Sequence, residues 1–491
     1  MTALLPVLIL LTSLIPAAIT FFLAQDSKRL RIALNLGGAV LKLGLIVFML
    51  AEVAQGTVHE TRLEFAPGLY LLLRVDALSL LFVSLSAFLW LLTTVYAIAY
   101  LRDGPELSRF FGFFSLCVAA TTGIALSGTL ISFFIFFELL TLSTWPLVVH
   151  KQNAKSIAAG RSYLSYALPS GAMLLVAIVW LESAVGPVEF ARPVDFGPLD
   201  RTSQQVIFAL FIAGLGAKAA LIPLHGWLPA AMAAPAPVSA LLHAVAVVKA
   251  GAFGVMRVVL DVYGLERMTD LGLALPLSVL AALTILWGSA RALQQDEIKK
   301  RLAFSTVSQV SYIILGIALA SPFAVIGGLA HLVHQGLMKI TLFFCAGIFD
   351  ERADIRRIDQ LDGIGAHMPW TSVCFSLGAI GMIGLPPTAG FVTKIYLGIG
   401  AVQADALWVL AVLGASTLLN AAYFLPMLYR IWFLQPTAAT TEGAKPNERP
   451  LGLIAPAVIT AFASIAVGLL AASAFSPLAL ATQIAERQYL R

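Results

Sequence analysis

Apolar runs long enough to cross a bilayer recur along almost the whole of this 491-residue chain. They constrain its fold more than any other feature. About fourteen such segments of roughly 17–30 residues can be marked. They lie near 2–24, 31–53, 76–101, 109–128, 130–149, 162–184, 205–234, 238–260, 271–291, 303–320, 323–349, 370–402, 405–434 and 452–476. Backbone N–H and C=O groups in hydrocarbon have no water to bond, so such segments are read as helices. The expectation is an all-α polytopic membrane protein. Composition agrees: 12% of residues are charged and mean hydropathy is +0.91, whereas soluble domains carry about 25% charge. The longest stretches between segments, 54–75, 185–204 and 435–451, leave no room for a soluble domain. The formal charge of +5 is spread over loops without a basic block, which argues against a nucleic-acid partner. Cys117, Cys345 and Cys374 are scattered through apolar runs and lack metal-ligand spacing, so they are read as small buried hydrophobes. The N-terminal segment has no basic n-region and no clear cleavage site, and is expected to be a retained span.

Numbering the loops alternately separates the basic residues. About eighteen lie on one side, among them Lys28, Lys151, Lys155, Lys299, Lys300, Arg356, Arg430, Lys445 and Arg449. About eight lie on the other: Arg62, Arg74, Arg192, Arg201, Arg257, Arg267, Arg487 and Arg491. The positive-inside rule makes the first side cytoplasmic. Both termini are then expected on the periplasmic side of a bacterial inner membrane. The five remaining basic residues, Lys42, Lys218, Lys249, Lys339 and Lys394, fall inside segments. Each costs at least about 2.5–3.5 kcal/mol in hydrocarbon unless paired or hydrated.

Four of these lysines lie near breaks or polar stripes. The stretch 214–254 carries Lys218, His225, His243 and Lys249 and is interrupted by Pro223, Pro229, Pro235 and Pro237. The seventh segment is cut by IPLHGWLP and the twelfth by GLPPTAG, which precedes Lys394. Broken helices in corresponding places of two five-helix groups are the sequence sign of inverted repeats. Segments 4–8 and 9–13 form such groups. They divide the chain into 1–108, 109–260, 271–434 and 452–491, with discontinuous seventh and twelfth helices. Glu138 is the one carboxylate expected well inside a segment. It is either a structural ion-pair partner or a switching partner for a lysine. Lys218 and Lys249 are candidate proton carriers, since a desolvated lysine whose partner moves away can release its proton. In HLVHQGLMKITLFFCAG, His331, Gln335 and Lys339 follow i, i+4, i+8 and line one helix stripe, with His334 beside it. Imidazoles accept and donate near neutral pH, so the stripe suits a proton wire as well as a satisfied core. His225 either links Lys218 to the second half or is structural. For Lys42, which has no break or acidic neighbour, the lipid edge or a structural role is expected.

Several pieces carry a resemblance: FFELLTLSTWPLV, GLGAKAALIPLHGWLPAAMAAPAPVSALLHAVAVVKAGAFG, DEIKKRLAFSTVSQVSYI, HLVHQGLMKITLFFCAG and GLPPTAGFVTK. Together they resemble the antiporter-like membrane subunits of respiratory complex I and of Mrp-type cation/proton antiporters, the Mrp D branch most of all. The likeness runs from about the third segment to the thirteenth. It implies fourteen helices with two inverted five-helix repeats. It also implies that Glu138 and Lys218 form the ion pair of one half-channel. Lys249 would connect that pair to the histidine-bearing helix with Lys339, and Lys394 would open to one side. Two departures stand out. Many relatives place a histidine four residues before the Lys339 position, where this chain has Gln335, with His334 one residue earlier. The largest complex I relative carries a long C-terminal lateral helix, whereas this sequence stops soon after its fourteenth segment.

The resulting expectation is a proton-translocating subunit of a multi-subunit inner-membrane complex. Its path would comprise Glu138, Lys218, His225, Lys249, His331, His334, Lys339 and Lys394. It would have no catalytic residues, cofactor or metal of its own. Its expected partners are other membrane subunits, the bilayer, protons and, as a second candidate ion, sodium. The same module serves membrane hydrogenases and inorganic-carbon uptake systems, so these are alternatives. A non-conducting membrane scaffold and a lone transporter of organic solutes are the rivals from other classes.

Overall fold

Short polar residues open several of the helices by accepting a first-turn N–H. Asp76 accepts from Ser79 N at 2.7 Å, Thr129 from Ser132 N at 3.1 Å, Asn153 from Ser156 N at 2.8 Å and Asp200 from Thr202 N at 3.1 Å. In the computed structural model, residues 4–55, 57–66, 69–102, 104–190, 192–436, 448 and 450–489 are described. The first seven helices are α1 (Leu5–Phe21), α2 (Lys28–Ala54), α3 (Ala77–Leu101), α4 (Leu107–Leu126), α5 (Leu130–Val148), α6 (Ala154–Val185) and α7 (Arg201–Lys218). Next come the short α8 (Trp227–Ala230), α9 (Ala236–Ala244), α10 (Val247–Arg257), α11 (Leu265–Asp270), α12 (Ala274–Leu293) and α13 (Ile298–Ala318). The last are α14 (Pro322–Ala353), α15 (Ile364–His367), α16 (Pro369–Ile383), α17 (Ala389–Gln403), α18 (Trp408–Phe433), α19 (Leu451–Leu469) and α20 (Pro477–Tyr489).

Each of the fourteen expected segments holds a helix or a broken helix. Among the described residues, eleven helices are long and apolar enough, by length and composition, to cross a membrane. The helix α1, the helix α7 and the pair α16/α17 occupy the other three segments. The middle of the bundle is α10, α13 and α14, whose side chains are almost all buried. Around them stand α9, α16, α17 and α19, packed against α14. The outer helices α2, α6, α12 and α18 present exposed apolar side chains such as Val47, Val176, Leu283 and Leu418.

The expected breaks are present. Past Lys218 the backbone turns through Ala220 at φ +58°, and the chain resumes at Trp227. Past Ile383 it turns through Gly384 at φ +88°, a conformation glycine adopts without strain, and resumes at Ala389. A third break lies outside these expectations. The segment 238–260 is split at Val245–Ala246 and ends in a π-helical stretch, Val258–Tyr263.

Other expectations change. Arg257 is not a loop charge: it is 1% exposed on α10 and pairs with Asp76 at 2.6 Å and Asp261 at 2.7 Å. Asp261, one turn on, therefore joins Glu138 as a carboxylate within a helical segment. Lys42 is not at the lipid edge. It is 0% exposed and donates to Ser13 Oγ at 3.0 Å and Thr122 Oγ1 at 2.6 Å, with the Trp90 ring 4.7 Å away. Two hydroxyls and a π-face replace water there, so the structural reading of Lys42 stands. The 54–75 stretch holds an antiparallel hairpin, β1 (Glu60–Ala66) and β2 (Leu69–Arg74). It docks on the start of α5, where Leu72 N donates to Ser132 Oγ at 2.9 Å. Beyond α19, α20 folds back against α14 and α3. Lys445, Arg449 and Arg491, used in the charge reading, lie outside the described residues.

Candidate functional site

Lys218 is the last residue of α7, where the negative end of the helix dipole favours a cation. It is 1% exposed, and its Nζ lies 3.9 Å from Glu138 Oε1. It donates to the Phe137 carbonyl and sits over the Phe137 ring at 3.3 Å from the centroid. Glu138 Oε1 itself accepts no hydrogen bond from the described residues. The ion pair is therefore loose: the ammonium is held by a carbonyl and a π-face, while the carboxylate waits at the edge of contact. Gly171 makes this possible. A Cβ at that position would lie 2.6 Å from Glu138 Oε1. Glu138 is 23% exposed and shares the outer face of α5 with Ile135 and Leu142.

The three helix breaks meet the central helices closely. A Cβ on Gly251 of α10 would come within 2.2 Å of Ala219 N, at the break after Lys218. Lys249, two residues earlier on α10, is fully buried, and its Nζ donates to Leu332 O of α14 at 2.7 Å. That carbonyl belongs to the turn between His331 and His334, so Lys249 enters the histidine stripe directly.

On α14 the stripe is satisfied from α13 and α17. His331 Nδ1 is 3.0 Å from Thr393 Oγ1, and its Nε2 is 3.1 Å from Gln309 Oε1. Thr393 gives its own proton to Gly390 O at 3.1 Å, so Nδ1 of His331 is the donor. With Gln309 Oε1 facing Nε2, a protonated ring would donate from both nitrogens. If the Gln309 amide turns over, Nε2 accepts and the ring is neutral. One geometry thus serves His331 with and without a proton. His334 donates from Nδ1 to Ala389 O at 3.0 Å, which leaves Nε2 to accept. Lys339 donates to Ser305 Oγ at 2.6 Å and more weakly to Leu302 O at 3.4 Å. Nearby, Thr306 donates to Leu302 O at 2.9 Å and faces His243 Nδ1 at 2.9 Å. His243 must therefore donate from Nδ1 and accept at Nε2. Lys394, half-buried on α17, donates to Ile383 O at 2.6 Å and Thr417 Oγ1 at 2.9 Å, beside the Tyr312 ring.

The sequence-derived residues therefore form two clusters with one outlier. Glu138 and Lys218 make one cluster. Lys249, His331, His334, Lys339 and Lys394 make the other, between α10, α13, α14 and α17. His225 stands apart. Its Nε2 accepts from Trp287 Nε1 at 3.4 Å on the outer side of α12, and it bonds none of the five lysines. Ser305, Thr306, Gln309, Tyr312 and Thr393 join the cluster from outside the sequence-derived set. The first, third and fourth of these follow i, i+4, i+7 on α13, a polar stripe facing that of α14. Several buried polar atoms on the two stripes and on the adjoining α9 have no partner among the described residues. They are His243 Nε2, Gln309 Nε2, Tyr312 Oη, His334 Nε2 and both amide atoms of Gln335. Such groups are normally completed by internal water.

The family comparison agrees with this architecture. Residues 127–420 match the family described as NADH:quinone oxidoreductase/Mrp antiporter, TM. The chain is 33% identical to NADH-quinone oxidoreductase subunit N of Desulforudis audaxviator, over 96% of each chain. It is 30% identical to a component of a probable K(+)/H(+) antiporter of Rhizobium meliloti, over 87% of this chain and 43% of that one. In a structure of the Mrp complex from Dietzia, one chain superposes with a TM-score of 0.86 at 25% identity, covering 100% of this chain and 98% of that one. A chain of the archaeal membrane-bound sulfane sulfur reductase shares the fold, with a TM-score of 0.85 at 22% identity over 99% of each. With a family match over more than half its length and a relative aligned end to end, this multi-pass membrane protein belongs to the NADH:quinone oxidoreductase/Mrp antiporter family, as an antiporter-like subunit of that class of membrane complexes.

Proposed function

We propose that the chain carries protons across a bacterial inner membrane as one subunit of a hetero-oligomeric complex. The observation that carries this reading is the second cluster: the fully buried Lys249, His331 and Lys339, held by the Leu332 carbonyl, by Thr393 and Gln309 and by Ser305, with Lys394 over the Tyr312 ring of the α13 stripe. Each lysine there bonds carbonyls or hydroxyls, and none has a carboxylate within 4 Å among the described residues. A buried ammonium without a counter-charge is expensive, so each lysine is better placed to hold a proton in passing than to keep it.

In this reading Glu138 and Lys218 form the gate of the first half. When the carboxylate closes on the ammonium, the proton on Lys218 is held. When it withdraws, desolvation favours release toward Lys249. His331 passes the proton on by turning the Gln309 amide, His334 and Lys339 accept through water, and Lys394 delivers it beside the second break. Glu138, partly exposed on an otherwise apolar helix face, needs a neighbour to complete its shielding, which favours a partner protein packed on α5. The division into 1–108, a repeat at 109–260, an inverted repeat at 271–434 and the terminal part 452–491 belongs to this reading. So do the periplasmic termini, which rest on the loop charges. His225 is assigned no transfer step.

The test is proton movement in proteoliposomes of the intact complex, read with a pH-sensitive dye. Glu138→Ala and Lys218→Ala are each expected to lower it by at least about tenfold while leaving assembly intact, since either removes one side of the gate. Near-normal transport by both would remove the gate from the account.

A further inference from the structure

A cavity of about 230 Å³ opens at the end of the bundle that carries the α5–α6 and α12–α13 turns. No step of the proton path uses it. Lys151, Lys155, Lys299 and Arg356 line it, against Glu297 and Asp350. The two carboxylates are already engaged. Asp350 pairs with Arg356 at 2.6 Å, and Glu297 with Lys300 at 2.7 Å. Among the described residues, Lys299 donates to the Ala234 carbonyl alone, at 2.7 Å. Among the described residues, Lys151, Lys155 and Lys299 have no carboxylate within 4 Å. Four basic side chains therefore face two carboxylates around one recess, an excess of positive charge that an entering anion offsets.

The backbone adds to the field. Lys155 lies in the first turn of α6 and Lys299 in the first turn of α13, so two long helices begin at this recess. Their positive dipole ends favour the same anion. The recess also has a rigid wall. Ile298 N bonds Arg356 O at 2.9 Å and Ile358 N bonds Asp296 O at 2.9 Å, tying the start of α13 to the segment after α14.

We propose that this recess binds a phosphate-class anion, either a free phosphate or the phosphodiester headgroup of an anionic phospholipid. Both present the tetrahedral oxygens that lysine ammoniums and helix N-termini bind. Binding ties the α5–α6 turn to the start of α13 and so stabilises the bundle at this end.

The test uses the full-length chain in detergent, melted at fixed ionic strength in four conditions: sodium phosphate, sodium chloride, micelles with phosphatidylglycerol and micelles with phosphatidylcholine. A melting temperature that rises and saturates with phosphate assigns the site to the free ion. A rise with phosphatidylglycerol alone assigns it to a headgroup. In either case Lys151→Gln/Lys155→Gln should weaken the apparent affinity by about tenfold or more, as expected for the loss of charge-assisted hydrogen bonds. These two side chains are exposed, so the variant folds, and Lys299→Gln serves as the independent second variant. Equal melting in all four conditions would overturn the proposal. So would an anion-dependent rise that both variants keep undiminished. Proton transport is not the readout, so the result is independent of the proton-path reading.

Discussion

At the residue scale, the site depends on small side chains that let charged ones approach. Gly171 leaves room for the Glu138 carboxylate, since a Cβ there would lie 2.6 Å from Oε1. The carboxylate is the mobile end of a side chain, so Gly171→Ala is expected to fold normally and to shift the carboxylate relative to Lys218. Proton transport by the variant should fall by several-fold, with little change in melting temperature; unchanged transport would mean that the position of the carboxylate does not matter. Gln309 is the second such residue. Gln309→Leu removes the group that serves His331 in both protonation states, and transport should drop by about tenfold while the complex still assembles. Wild-type flux would return His331 to a purely structural role. Outside the membrane segments, His150 is buried between α5 and α6. Burial first, then Arg109 and Lys151, pushes its imidazole down to about 4. The unfolded chain takes up this proton below about 6.5. Stability from the neutral ring is therefore complete above that pH and is lost as pH falls toward 4. Melting curves of His150→Gln should show a weaker decline over that window than wild type, and parallel declines would exclude His150 as the cause.

At the element scale, the breaks organise the molecule, and they differ in how plainly the sequence announces them. Those after Lys218 and Ile383 follow from Pro223, Pro229, Gly384, Pro386 and Pro387, residues that cannot continue a helix without cost. The break at Val245–Ala246 carries neither proline nor glycine. Packing against α14 and α3 decides it, and no local signal marks it. The polar stripe on α14 is legible because histidine and lysine are rare in such segments. Its partner on α13 is not, because serine and threonine in an apolar helix usually bond their own preceding turn. Thr306 does so and also faces His243, which only tertiary packing reveals. The hairpin at Glu60–Arg74 escapes a sequence reading because its strands are short and their outward face is largely exposed. The close seat of α10 on the α7 break gives a further expectation. At Gly251 the neighbouring atoms are backbone, Ala219 N at 2.2 Å among them, and cannot swing aside. Gly251→Ala should therefore lower stability by about 1–3 kcal/mol, seen as reduced melting temperature and yield. Tolerance of alanine there would show that the break can move away from α10.

At the scale of the whole molecule, the account separates two kinds of buried lysine. Lys42 lies in the N-terminal helices, before the stretch 127–420 that matches the family, and is satisfied by two hydroxyls and an indole face. Lys249 lies on α10 and, among the described residues, is held by the Leu332 carbonyl alone. Both are 0% exposed, so burial alone does not distinguish a proton carrier from a structural cation. What distinguishes them is whether titratable neighbours lie next in line. Lys249 has His331 and His334 on either side of its acceptor; Lys42 has none among the partners described. The most direct measurement compares Lys249→Met with Lys42→Met in proteoliposomes of the intact complex, following proton movement with a pH-sensitive dye and assembly by the yield of purified complex. The account predicts that Lys249→Met lowers proton movement by at least about tenfold while Lys42→Met retains most of it per assembled complex. Equal retention by both variants, or loss only in Lys42→Met, would contradict the path through the central helices.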